Sequence, residues 1–435
     1  MLRRFSVYVI PALVALGLFS GLLREILLAY IFGTSRELEI FRVAFGLPSI
    51  LSDSLAVSFV SILIPVLVMG EKSHPAHALR QILWATGVIA LGVFVIGLIT
   101  MPLQARLLAP GIIGGEQVAL INAGYLCWGM FLMVILSLPL RAAMSVRGKI
   151  WPGASAQLMR SGGFVIVLAI FVFFISQRDV TATAISALAA GLSVLLVHIF
   201  AIGKTGRRRV MLALSAGPNW DHLRPLLLPL GLVFLTQILL SGGRLMDRAV
   251  ASNMEIGTLA VIEYSYALVM AAAAVLGTST NLILAPRLAR SLRDTGRVTA
   301  QHKRTIILVT GFATLAGICL SLLATPIVSI VYENGTFQAS DALRTASVFR
   351  LHALSLGPIV LALILTQVLL ISGGQRLTFV ISGIKLAIKA GVLYILITSG
   401  YGLGGIAISL AITELVMAVI LAMALKWRSA AKVNS

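Results

Sequence analysis

Charged side chains stand inside long apolar runs of this chain, and any chemistry must start with them. The stretch GLLREILLAYIFG, residues 21–33, sets Arg24 beside Glu25 in an otherwise uninterrupted apolar opening. Arg42, Arg141, Arg160, Arg244, Arg350, Lys385 and Lys389 stand in similar surroundings. A charge at the centre of a bilayer costs at least about 2.5–3.5 kcal/mol on insertion scales, so each needs a partner, a wet cavity or an interfacial position. Helical spacing offers partners, since Glu39 precedes Arg42 by three residues and Asp247 follows Arg244 by three. Arg42, Ser49 and Asp53 fall on one helix face, as do His352, Ser355 and Thr366, whereas Glu263 and Glu414 are solitary acids. For Arg24, Arg42 and Asp53 the expected setting is a water-filled cavity that receives a charged or sugar-bearing substrate, with satisfied interhelical pairs as the alternative. Arg160, Lys385 and Lys389 lie nearer span ends and are expected to snorkel to the interface.

The elements that would carry these residues are set by composition. Of 435 residues, 59% are hydrophobic and 11% charged, against about 45–50% and about 25% in a soluble domain; mean hydropathy is +1.02. Such a chain is an integral membrane protein. Apolar runs long enough to span a bilayer occur at about 6–32, 40–69, 79–109, 117–146, 152–176, 181–203, 222–251, 257–286, 303–332, 341–372, 375–398 and 402–426. They greatly exceed a barrel strand of about 10 residues and do not alternate, so the expected fold is all-α and polytopic, with about twelve transmembrane helices. The first run follows Arg3 and Arg4 but exceeds signal-peptide length, and it is expected to be a retained span.

The formal charge of +19 is distributed unevenly. Lys and Arg cluster in alternate breaks, most densely at Lys204, Arg207, Arg208, Arg209 and Arg224, and again at Arg287, Arg290, Arg293, Arg297, Lys303 and Arg304. The other breaks hold only Arg36, Arg106, Arg178, Arg248 and Arg344. By the positive-inside rule both termini are cytoplasmic and the basic excess records topology rather than nucleic-acid binding, with membrane lipids as a natural partner. The basic break at 206–221 divides a six-helix lobe, 1–205, from a second, 222–435. Weak self-similarity supports two lobes in a parallel pseudo-two-fold repeat around a central cavity: SFVSILIPVL matches STNLILAPRL through Pro65 and Pro286, and SVRGKIWPG matches LISGGQRLTF.

Soluble-enzyme motifs do not fit. GYGLGG satisfies G-x-G-x-x-G at Gly400, Gly402 and Gly405 but joins two spans, and GKT at 203–205 has His198 where a P-loop needs glycine. His74 and His77 lack acidic or thiol companions, so no metal site is expected, and Cys127 and Cys319 read as buried packing residues. No nucleophile and base stand together. The chain is expected to be a transporter rather than an enzyme, without cofactor, energised by an ion gradient, the membrane potential or its substrate.

The segment LREILLAYIFGTSRELEIFRVAFGLPSIL, 23–51, resembles the opening of the MviN/MurJ family of lipid-linked saccharide flippases, within the multidrug/oligosaccharidyl-lipid/polysaccharide exporter superfamily. The matching residues are Arg24, Glu25, Phe32, Gly33, Glu39, Ala44, Phe45, Leu47 and Pro48. MDRAVASNMEIGTLAVIEYSYAL, VLGTSTNLILAPRLARS and PIVSIVYENGTFQASDALRTA resemble later parts of the family pattern. The resemblance implies a bacterial inner-membrane flippase working by alternating access. Arg24 would bind the pyrophosphate of a polyprenyl-linked saccharide, with Arg42 or Arg244 standing in for arginines of the family pattern that this chain lacks, and Glu25, Glu39, Asp53, Asp247 and Glu263 would set cavity electrostatics or couple an ion. Other arginines of the family pattern fall on Leu18, Ser52 and Ala267, and two acids on Tyr266 and Met270; the family usually has fourteen spans against twelve here. Those departures favour an exopolysaccharide or envelope-polysaccharide precursor, with glycosyltransferases and a polymerase as partners. The rival expectations are lipid II flipping, cation-coupled export of small molecules, and a non-transporting assembly scaffold.

Overall fold

The computed structural model describes residues 2–431 apart from 74, 216, 218, 219, 279, 281–283, 285, 286, 289, 290 and 292–298; at 2–8, 11, 57–78, 220–226, 278 and 427–431 only the backbone is described. Pro286, His74, Arg290, Arg293 and Arg297 thus lie outside the described residues, as do the side chains of Pro65, His77 and Arg224.

Apolar runs broken by turns give helices throughout, and no strand occurs among the described residues. In order they are α1 (Leu2–Phe32), α2 (Arg36–Ser73), α3 (Pro75–Ile99), α4 (Met101–Leu108), α5 (Gly115–Val146), α6 (Trp151–Ala154), α7 (Ala156–Phe174), α8 (Val180–Ser215), α9 (Trp220–Ala251), α10 (Thr258–Ala273), α11 (Ala300–Leu322), α12 (Ala324–Tyr332), α13 (Ala339–Ala353), α14 (Leu356–Ile371), α15 (Gln375–Thr398) and α16 (Gly402–Ala431). Ten of these are long and apolar enough to cross a membrane among the described residues, and α13 with α14 makes an eleventh as one span bent by 47°. The run expected at 40–69 falls in the 38-residue α2, giving the polytopic all-α architecture read from the sequence.

Two compact units divide the chain: unit 1 is Met1–Ile238 with Arg248–Met254, and unit 2 is Leu239–Asp247 with Glu255–Ser435. Of the basic linker at 206–221, the segment 206–215 is helical, the last part of α8 beyond a kink at the non-helical Gly203.

In unit 1, α8 buries Thr183, Ala187, Ala190, Gly191, Val194 and His198 along one face. Small residues at helical spacing let backbones approach closely where lipid offers no hydrophobic drive. The approach is tight at Gly191, where an added Cβ would stand 2.7 Å from the Met130 carbonyl oxygen of α5. In unit 2, Ala362, Leu365 and Leu369 of α14 pack with Ile381 of α15 and Met417, Ala418 and Leu421 of α16. A second cluster joins Tyr264 of α10, Tyr332 of α12 and Phe337, with ring centres 4.9–5.8 Å apart.

The sequence match between SVRGKIWPG and LISGGQRLTF has a structural counterpart. Helix α5 ends where Lys149 N donates to Met144 O at 2.9 Å around Gly148, and α14 ends where Gly374 N donates to Leu369 O at 2.9 Å around Gly373. Both glycines adopt left-handed φ, 77° and 79°. Each is the αL residue of a Schellman closure, which satisfies end carbonyls and which a Cβ would strain.

Candidate functional site

The site residues of unit 1 come from α1, α2 and α7. The turn at Gly33 and Ser35 returns the chain at once, so the final turns of α1 lie near the opening turns of α2. Arg24 donates to Glu25 Oε1 from Nη2 at 2.7 Å and from Nε at 3.2 Å, while Arg42 Nη2 donates to Glu25 Oε2 at 2.9 Å. One buried carboxylate therefore serves two guanidiniums, one through each oxygen. Charge-assisted contacts of this geometry remove much of the cost of holding the three groups in a low dielectric.

The guanidiniums are also planed against aromatic rings. Arg24 Cζ lies 5.7 Å from the Phe45 ring centre and 5.9 Å from that of Phe164, and Arg160 Cζ lies 5.8 Å from Phe45. Such cation–π contacts contribute about 0.5–2 kcal/mol, the larger values when desolvated. Arg160 in turn donates to Asp53 Oδ1 at 2.5 Å. Arg42 and Glu25 are nearly sealed, but Arg24 keeps 21% of its side chain accessible and Asp53 keeps 65%. Arg24 is thus held by the protein yet still has surface to offer.

Glu39 sits at the head of α2, where it accepts from Arg36 Nη1 at 3.1 Å. Arg36 also donates to Glu116 Oε2 at 3.0 Å and to Gly111 O at 2.8 Å. Burial alone would lower the Arg36 pKa, but Glu116 and Glu39 outweigh it and raise the value above the usual guanidinium range. This knot fixes the α1–α2 turn to the start of α5.

Unit 2 gathers Arg244 and Asp247 of α9 with groups from α10, α13, α15 and α16. Arg244 Nη2 donates to Glu263 Oε2 at 2.8 Å, and its Cζ lies 4.3 Å from the Tyr266 ring centre. Asp247 Oδ1 lies 2.7 Å from Lys389 Nζ, which donates to Ser409 Oγ at 2.6 Å. Lys385 Nζ donates to Glu414 Oε1 at 2.6 Å, and Ser265 Oγ lies 2.7 Å from His352 Nδ1. Arg244 retains 34% exposure of its side chain.

The structure brings together Arg24, Glu25 and Arg42 of the predicted set, and in unit 2 Arg244 with Glu263; Asp53, Glu39 and Asp247 find partners in Arg160, Arg36 and Lys389. Several expectations are corrected. Arg160, Lys385 and Lys389 do not snorkel; each is drawn inward by a carboxylate from another helix. Glu263 and Glu414 are not solitary. Arg248 is not a loop residue but a buried one in the last turn of α9, its guanidinium seated over the bare backbone of Gly46. Cys127 is buried as expected, whereas Cys319 is exposed. Sequence reasoning named Phe45 and Tyr266 only as positions of the family pattern and missed the role of their rings, together with Phe164 and the hydroxyl of Ser409, because an aromatic or serine in an apolar run carries no signal of its own. Lys385 and Lys389, one helical turn apart, did carry one.

Comparison with known proteins agrees with this construction. The curated "Probable lipid II flippase MurJ" of Rickettsia prowazekii (strain Madrid E) is 22% identical over 82% of this chain and 71% of its own length. The protein of the same name from Rhizobium meliloti (strain 1021) is 23% identical over 94% and 78%. Among solved structures, "Lipid II flippase MurJ, inward closed conformation" superposes with a TM-score of 0.80 at 16% identity, covering 96% of this chain and 87% of that one. A multidrug resistance MATE family transporter of the MOP superfamily, inward-facing, gives 0.69 at 14% identity over 97% and 95%. At such identities the two structures speak to the fold alone. The family model described as "Lipid II flippase MurJ" matches residues 28–433. With an intramembrane guanidinium cluster on a polytopic all-α frame and that match across nearly its whole length, the chain belongs to the MurJ family of flippases.

Proposed function

We propose that this protein moves a pyrophosphate-linked saccharide carried on a polyprenyl lipid across the bacterial inner membrane, and that lipid II is its substrate. The observation that carries the reading is the unit 1 cluster, in which three guanidiniums, Arg24, Arg42 and Arg160, meet two carboxylates, Glu25 and Asp53. The surplus positive charge suits an anionic headgroup, and guanidiniums present paired donors to phosphate oxygens. Arg24 is the contacting group because it combines fixed geometry with accessible surface. Arg42 acts by positioning Glu25, and Arg244 offers a second accessible guanidinium in unit 2. The substrate moves when a conformational cycle opens its site to either membrane face in turn, with both termini on the cytoplasmic side.

Leu18, Ser52 and Ala267 stand where the family resemblance led us to expect arginines, which favoured an exopolysaccharide precursor. Two observations move the balance to lipid II. The family description and the curated relatives name lipid II, and Arg42 and Arg160 supply guanidiniums from other positions. Replacement of an essential lipid II flippase tests the choice. Expression of this gene should sustain growth of a bacterium depleted of its own enzyme. No growth rescue by a correctly inserted protein, together with loss of surface polysaccharide in a strain lacking the gene, would return the assignment to a polysaccharide precursor.

A further inference from the structure

Unit 2 carries a cation of its own at a place built from oxygen ligands. Lys389 keeps only 3% of its side chain accessible, and its Nζ stands 2.7 Å from Asp247 Oδ1 and 2.6 Å from Ser409 Oγ. Ser409 donates its own proton to Ile406 O at 2.7 Å, so a hydroxyl lone pair faces the ammonium. The lysine stem is accommodated at Gly243 of α9, where an added Cβ would lie 3.3 Å from Lys389 Cγ. The neighbouring acids are matched as well, Glu263 by Arg244 and Glu414 by Lys385. A carboxylate oxygen and a hydroxyl lone pair converging on one positive centre are two of the hard oxygen donors that a small metal cation gathers around itself. An ammonium fills that role with its three donors, but it is tethered and cannot exchange with solvent.

We propose that the Lys389 ammonium is a built-in monovalent cation, occupying the position between Asp247 and Ser409 that an exchangeable Na⁺ would otherwise take, so that the protein works without an alkali ion bound there. Removal of the amine opens the position to Na⁺. The inference concerns ion dependence and stands whichever saccharide is carried.

Thermal unfolding of the purified full-length protein in detergent tests it, in NaCl against choline chloride at equal ionic strength and equal pH. The wild-type midpoint is expected to be the same in both salts. Lys389→Ala is expected to unfold several degrees lower in choline chloride and to recover most of that loss, saturably, as NaCl replaces choline. Asp247→Asn combined with Lys389→Ala is expected to lose the recovery, and Lys389→Arg to keep the wild-type indifference. Identical midpoints for Lys389→Ala in the two salts would overturn the proposal. The wild type provides a test that needs no folded lysine variant: saturable binding of radioactive Na⁺ that disappears in Asp247→Asn would also overturn it, and its absence would support it.

Discussion

The two units solve the problem of intramembrane charge differently. In unit 1 the cations are arginines, laid on the rings of Phe45 and Phe164, and Glu25 is shared by two of them. In unit 2 each of three carboxylates meets a cation from another helix, with Lys389 on Asp247, Lys385 on Glu414 and Arg244 on Glu263. Arginine is planar, weakly hydrated and always charged, so it can hold one partner and still present donors to another. A lysine ammonium is a point charge that a single carboxylate and hydroxyl can satisfy. The difference teaches that unit 2 commits two lysines to internal pairs, whereas the paired cations of unit 1 are arginines, which can hold a carboxylate and still present donors to an anion.

The comparison breaks most severely at Glu25. Glu25→Ala takes the shared acid from the buried Arg42 and the half-buried Arg24, and removal of one partner of a buried pair costs about 3–5 kcal/mol. A large fall in the unfolding midpoint, with loss of transport, is expected; retention of wild-type stability would show that the arginines are not held as described. Arg24→Ala removes charge-assisted contacts worth about 1.5–3 kcal/mol, so substrate affinity measured by titration should fall at least about tenfold, with Arg24→Lys recovering only part of it. Gly191→Ala tests the packing rather than the charge. Its new methyl meets the Met130 backbone, and a loss of about 1–3 kcal/mol in chemical unfolding is expected. Glu255→Ala should matter least. The exposed Glu255 carboxylate lies 3.2 Å from Arg344 Nη2, an ion pair worth about 0–1 kcal/mol and within the scatter of most unfolding experiments, and Arg344 keeps its hydrogen bond to Thr258 Oγ1.

The fold was largely legible, for reasons visible in particular residues. Runs of twenty or more apolar residues have one stable form in a bilayer, because every backbone group must be satisfied within the segment. The glycine-rich exits at Gly148 and Gly373 could be matched from sequence because a Schellman closure demands glycine at one position. The site was legible in its members and less so in its pairings. Helical spacing ties Arg42 to Glu39 and Arg244 to Asp247, but the structure adds Glu25 and Glu263, which lie on neighbouring helices. Spacing along one helix cannot reveal which helix will stand opposite. The same limit explains Arg160 and Lys389: a charge near a span end snorkels when nothing nearby answers it, and here Asp53 and Asp247 do.

The central claim, that the arginine cluster of unit 1 binds the pyrophosphate of lipid II, is tested most directly in proteoliposomes. Fluorescent lipid II placed in one leaflet would be followed as it becomes accessible from the other, with wild-type protein and with Arg24→Ala inserted at equal density. Rapid translocation by the wild type and a loss of at least about tenfold in the variant at subsaturating lipid II are predicted, in line with the charge-assisted contacts removed. Equal rates for the two proteins would contradict the account.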